Sequence, residues 1–121
     1  MTAYNDTNNS ILPESSRGYT RIGEIKPDLA APGYQLTCAV RGGQYGTVTG
    51  TGAAAAHTAG IVAMVLEWAI VRGNYPRMTG NNVNRLLISG AVRSSGNVYP
   101  NNIWGYGQVD VNRLFERLAS L

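Results

Sequence analysis

The residues best placed to do chemistry lie in one run, Gly50-Thr51-Gly52-Ala53-Ala54-Ala55-Ala56-His57-Thr58-Ala59-Gly60. Small residues lead into an alanine-rich stretch, and alanine is the strongest helix former. A loop entering a helix this way leaves the first backbone N–H groups without intrahelical acceptors. It also presents the positive end of the helix dipole. Such a position suits a nucleophile whose carbonyl adduct carries an oxyanion. Small residues there let a substrate backbone approach closely. Gly52 sits in that first turn and carries no side chain. His57 is the only histidine. Five residues along a helix from position 52, it lies about 140° round and about 7.5 Å up the axis. It does not reach a group at 52, and it reads as a packed helix histidine.

Other chemistry has less behind it. The glycine-rich stretch 42–52 lacks the Gly-Lys-[Ser/Thr] of a phosphate-binding loop, although an anion at the helix start is physically allowed. Asp28, between two prolines, reads as a turn-capping residue rather than a metal ligand. Trp104 and Tyr106 beside glycines suggest a packed loop anchor rather than a carbohydrate platform. Cys38 is the single cysteine, which excludes an internal disulfide and a cysteine-based zinc site. It lies in the apolar run Leu36–Val40 and reads as a buried structural thiol. No metal site and no cofactor are expected. Nine arginines and one lysine against seven acids give a net charge of +3. The basic residues are scattered, so no nucleic-acid partner is expected.

These residues need elements to hold them. The chain has 121 residues, 44% hydrophobic and 14% charged, which suits one folded body with much buried surface. Thr2-Ala3-Tyr4 reads as the tail of a strand, so the chain is expected to begin inside an element, as an excised piece with Met1 added. No basic region followed by an apolar stretch opens the sequence, so no signal peptide is expected. No unbroken apolar run of about 18 residues occurs, so no membrane span is expected. Pro27 and Pro32 bracket a short extended segment near residues 28–31. Gln35 to Val40 is a second strand candidate, and Gly42 to Gly46 a glycine-rich turn. A helix is expected from Ala53 to about Arg72, apolar almost all round and therefore buried. Further helices are expected over 81–91 and 111–118, the last capped by Asp110. Residues 103–109 read as a loop.

Three patches now stand in order. They are Ser15-Ser16-Arg17-Gly18 with Lys26-Pro27-Asp28-Leu29-Ala30-Ala31-Pro32-Gly33, then Gly50 to Gly60, then Gly105-Tyr106-Gly107-Gln108-Val109-Asp110-Val111. Together they resemble the C-terminal third of the subtilisin-like (subtilase) serine proteases. The resemblance implies an α/β fold, part of a three-layer sandwich with a mostly parallel sheet, a buried central helix and C-terminal helices. It makes residues 1–121 the C-terminal portion of a catalytic domain, whose N-terminal part is the natural partner. Gly52 then stands where the family has its nucleophilic serine, Ala53 where it has methionine and Ala56 where it has proline. The family's catalytic Asp, catalytic His and oxyanion Asn come from upstream. Val48 and Thr49 fall on the leaving-group side of the cleft as substrate-binding residues, and the Gly52 amide remains as half an oxyanion hole.

The resemblance therefore implies a peptide or protein substrate in the parent and no peptide cleavage by this chain as it stands. Ala54 to Gly60 with Leu66 to Asn74 further resembles the clostridial Csp group of spore germination, in which some members lack catalytic residues. That implies an alternative, a pseudoprotease with a binding or signalling role. Exposed apolar surface and self-association are expected of the piece alone. Localisation is left open.

Overall fold

The computed structural model describes residues 1–120. Three strands form one small sheet in the order β2–β1–β3. Strand β1 (Thr2–Asn5) pairs in parallel with β3 (Ala30–Pro32) and antiparallel with β2 (Ser10–Ile11). The far edge of β3 is not free. Ala30 N–H donates to the Gly107 carbonyl at 2.9 Å, and Val109 N–H donates to the Ala30 carbonyl at 2.9 Å. Residues 107–109, expected as loop, thus add a short parallel bridge to the sheet. A separate antiparallel hairpin joins β4 (Leu36–Val40) to β5 (Gln44–Val48). The mixed sheets and three helices make an α/β fold.

The central helix α1 runs from Thr51 to Leu66 and continues as a π-helical turn over Glu67–Val71. In that turn Arg72 N–H reaches back five residues to the Glu67 carbonyl, at 3.0 Å. Gly73, with φ 74°, ends it. One side of α1 packs on β1 and β3, with Ala54, Ile61 and Val65 in the core, joined by Ala69 of the π-helical turn. Helices α2 (Gly80–Ser89) and α3 (Val111–Ala119) pack on each other. They contribute Val83, Leu87, Leu114 and Leu118 to the same core. Thr79 and Asn82 close a reciprocal capping box at the start of α2. Asp110 caps α3 as expected, accepting from Arg113 N–H at 2.9 Å.

Four expectations need correction. Helix α1 is apolar all round but not buried all round, for only 28% of its most apolar window is buried. Met64, Ile70 and Val71 face outward at 47%, 46% and 78% exposure. Its 21 helical residues, with mean hydropathy 1.6, are also long and apolar enough to cross a bilayer, which counting unbroken apolar runs did not register. Core helices satisfy the same criterion, and α1 lies against the sheet. His57 is exposed rather than packed, because it points away from that sheet. Cys38 is half-buried, on a hairpin most of whose residues are exposed.

Candidate active site

The start of α1 is held by the loops around it. Gly50 precedes the helix with φ 133°, a backbone conformation that residues with a Cβ rarely adopt. Its N–H donates to the Gly33 carbonyl at 2.8 Å, and its own carbonyl accepts from Ala54 N–H at 3.1 Å. Gly33 in turn donates to the Tyr4 carbonyl at 3.0 Å. Strand β1, the turn after β3 and the start of α1 therefore meet at two glycines. A Cβ on Gly33 would lie 2.5 Å from Ala3 Cβ and 2.7 Å from the Gly50 carbonyl oxygen. Only glycine permits that approach.

Two hydroxyls complete the frame. Thr49 Oγ1 accepts from Gln35 N–H at 2.9 Å, tying the turn at Gly33–Gln35 to the residues ahead of α1. Thr51 Oγ1 accepts from Ser16 N–H at 3.2 Å and lies 3.4 Å from Ser16 Oγ. Ser15 fixes that loop from behind, its buried hydroxyl accepting from Ala3 N–H at 2.9 Å. Sequence reasoning had no means to assign Gly33, Gln35, Thr51 and Ser16 these contacts. The only signal was their residue types, since hydroxyls and glycines concentrate where loops must be pinned.

Gly52 is the second residue of α1, exposed, with nothing within 4 Å of the place a Cβ would take. Its amide lies in the first turn, where no intrahelical acceptor exists. No side chain caps the helix and no acidic residue lies in its first turn. Val48 ends β5 opposite Leu36 and is 42% exposed, and Thr49 is exposed beside it. Val48, Thr49 and Gly52 are each exposed, close in sequence to the start of α1. His57 lies a turn and a half further along and is not brought to it.

The remaining candidates fall elsewhere. Asp28 neither caps a turn amide nor sits in a metal cluster. Its carboxylate accepts from Lys26 Nζ at 2.9 and 3.1 Å, and this hydrogen bond raises the lysine's pKa. Among the described residues no group of His, Cys, Asp and Glu is arranged to hold a metal. Trp104 packs against Tyr4 with ring centroids 5.8 Å apart. It anchors the loop before residues 107–109.

Residues 1–107 match the subtilase family. Pyrolysin of Pyrococcus furiosus is 32% identical over 124 residues, which cover 95% of this chain and 9% of pyrolysin. A C5a peptidase of Streptococcus pyogenes is 38% identical over 65 residues, covering 54% of this chain and 5% of that protein. The structure of the Clostridium perfringens CspB protease superposes with a TM-score of 0.91 at 38% identity, covering 99% of this chain and 26% of that one. The prenylagaramide maturation protease PagA superposes at 0.76 with 22% identity over 97% of this chain and 41% of its own, a likeness of fold alone. The chain spans about a tenth of pyrolysin and about a quarter of the CspB chain. With the order of its motifs, the frame around α1 and these likenesses together, the chain belongs to the subtilase family of subtilisin-like serine proteases.

Proposed function

We propose that residues 1–121 are the C-terminal portion of a subtilase catalytic domain. The parent hydrolyses peptide bonds, and this chain as it stands does not. One observation carries the reading. At the start of α1, where the family carries its nucleophilic serine, Gly52 offers a backbone amide and no attacking oxygen. Val48 and Thr49 beside it are then the leaving-group side of a substrate cleft. No base lies within reach, because His57 is on the same helix and turned away. Incubation of the chain with casein and fluorogenic peptides tests this. Product formation above the buffer blank, persisting after removal of contaminating proteases, sinks the proposal.

A second reading has an observation in its favour. Nothing within 4 Å opposes a side chain at 52, so the fold does not demand glycine there. A binding or signalling role without cleavage, as in spore germination, would leave that position free to drift. Gly52→Ser in a longer polypeptide carrying the upstream residues separates the two. Labelling of residue 52 by a fluorophosphonate supports a protease with one lesion. Failure to label supports a pseudoprotease whose upstream residues have also changed.

The outward side of α1, with Met64, Ile70 and Val71, is then the seat of the rest of the domain. In the chain alone a second copy covers it, because an apolar strip of that length left in water drives association.

A further inference from the structure

Between Glu67 and Asp110 the sequence carries four arginines and no acidic residue. Two of the four are occupied. Arg72 binds Glu67 at 2.8 Å. Arg93 donates to the carbonyls of Tyr106 at 2.7 Å and Ile88 at 3.3 Å. Arg77 and Arg85 have no ion pair or hydrogen bond among the described residues.

Both free arginines border cavities. Arg85 lies with Asn82, Leu86 and Ser89 on one stripe of α2, at helical spacing. Val83 and Leu87 of the same helix face the core. The stripe looks across a cavity of about 250 Å³ at Tyr75 and Met78. A second cavity of about 300 Å³ shares Tyr75 and is otherwise lined by Asn74, Pro76 and Arg77. The shared wall is fixed in place. Tyr75 N–H donates to the Ala69 carbonyl at 2.8 Å, Met78 N–H to the Tyr75 carbonyl at 3.1 Å, and Asn74 Nδ2 to the Trp68 carbonyl at 2.9 Å. Met78 forms an apolar floor, 7% exposed. Asn82 gives its carbonyl oxygen to Thr79, at 2.9 Å from the amide and 2.7 Å from the hydroxyl, which leaves its NH₂ free.

We propose that this two-lobed groove binds an extended acidic peptide segment. An apolar side chain rests on Met78 and Leu86, and flanking carboxylates take Arg85 with Asn82 NH₂ in one cavity and Arg77 in the other. The charge is complementary because no lining residue is acidic, and guanidinium–carboxylate pairs are the strong, directional kind. One lobe is smaller than the roughly 300–1,000 Å³ sites that enclose small molecules and the other stands at their lower bound, and both are open, which favours adjacent side chains of a chain over a buried ligand.

Fluorescence anisotropy with a labelled heptapeptide alternating acidic residues and leucine tests this on the chain. Its counterpart with lysine in place of every acid is the control. The acidic peptide is expected to bind and the lysine peptide not. Arg85→Gln should weaken binding about tenfold, and the double variant with Arg77→Gln further. Neither side chain supports the fold. Arg117→Gln, on α3 and away from the groove, makes the same charge change and should alter affinity less than about twofold at fixed ionic strength. Absence of binding overturns the proposal. So do equal binding of the lysine peptide, an unchanged affinity in Arg85→Gln, and an equal loss in Arg117→Gln, which would mean general attraction rather than a site.

Discussion

Replacing one hydrogen by a methyl at Gly33 and at Gly52 should move stability in opposite directions. In Gly33→Ala the new Cβ would stand 2.5 Å from Ala3 Cβ, 2.7 Å from the Gly50 carbonyl oxygen and 3.3 Å from Ala54 Cβ. Carbon atoms rest about 3.5–4.0 Å apart, so the first overlap is about 1 Å. Neither Ala3 nor the Gly50 carbonyl is the end of a flexible side chain, and Ala3 is fully buried. Backbone must therefore move. Overpacking of this kind costs about 1–3 kcal/mol, and loosening the bond from Gly50 N–H to Gly33 costs a further 0.5–1.5 kcal/mol or so. The stiffer unfolded chain returns about 0.4–1 kcal/mol. The net loss is about 0.5–4 kcal/mol, centred near 2. With a urea dependence of about 1–3 kcal/mol per molar, the midpoint should fall by roughly 1 M. At Gly52 an added Cβ meets nothing, and the residue is helical. Gly52→Ala should gain about 0.5–1 kcal/mol. Urea denaturation followed by circular dichroism reads both. Amide exchange at Gly50 through Ala54 should speed up in Gly33→Ala alone. If Gly33→Ala leaves the midpoint unchanged, or both variants shift it the same way, the two-glycine junction does not hold the start of α1.

Asp110→Ala should cost about 1 kcal/mol, because it removes the acceptor for Arg113 N–H at the start of a short helix; the urea midpoint measures it, and no change would mean that packing of Leu114 and Leu118 alone sets α3. Tyr4 is held protonated above its usual range, first by burial and then by the charges of Asp6 and Asp110. The unfolded chain gives up that proton near pH 10 while the folded chain keeps it, so stability should fall as pH rises from about 10. Tyr4→Phe should flatten that alkaline decline in a series of midpoints from pH 8 upward, and an unaltered slope would contradict the assignment. Sedimentation of the chain should show association that weakens in Val71→Glu and Ile70→Glu, whereas a clean monomer with no dye-binding apolar surface would contradict the proposed cover of α1.

Much of the fold was legible because the motifs carry their own geometry. The alanine run gave α1, starting two residues earlier than expected, and Asp110 gave the start of α3. Strand β3 starts two residues later than expected and ends on the second of the two prolines. What was missed depends on partners distant in sequence. Strand β5 was hidden because Gly42 and Gly43 signal a turn, although Tyr45 and Thr47 alternate beyond it. Residues 105–109 carry two glycines, and 107–109 enter the ladder only because β3 offers its edge. The burial of α1 was overestimated because composition reports what a helix prefers and not what is present to cover it. His57 was misjudged for the same reason. The motif put Gly52 in the first turn of a helix, and that is where it lies. The Thr49–Gln35 and Thr51–Ser16 contacts were not legible, since they join loops 14 and 35 residues apart.

The central proposal is that position 52 marks the nucleophile's place while the chain lacks the base, the orienting acid and the oxyanion side chain that the reaction needs. Gly52→Ser in this 121-residue chain, treated with a fluorophosphonate and read by intact mass and peptide mapping, tests it directly. The variant should fold, since a side chain at 52 has open space. It should then carry no adduct at residue 52 above the level of the unsubstituted chain, because no base reaches that hydroxyl. A stoichiometric adduct on residue 52 would contradict the account.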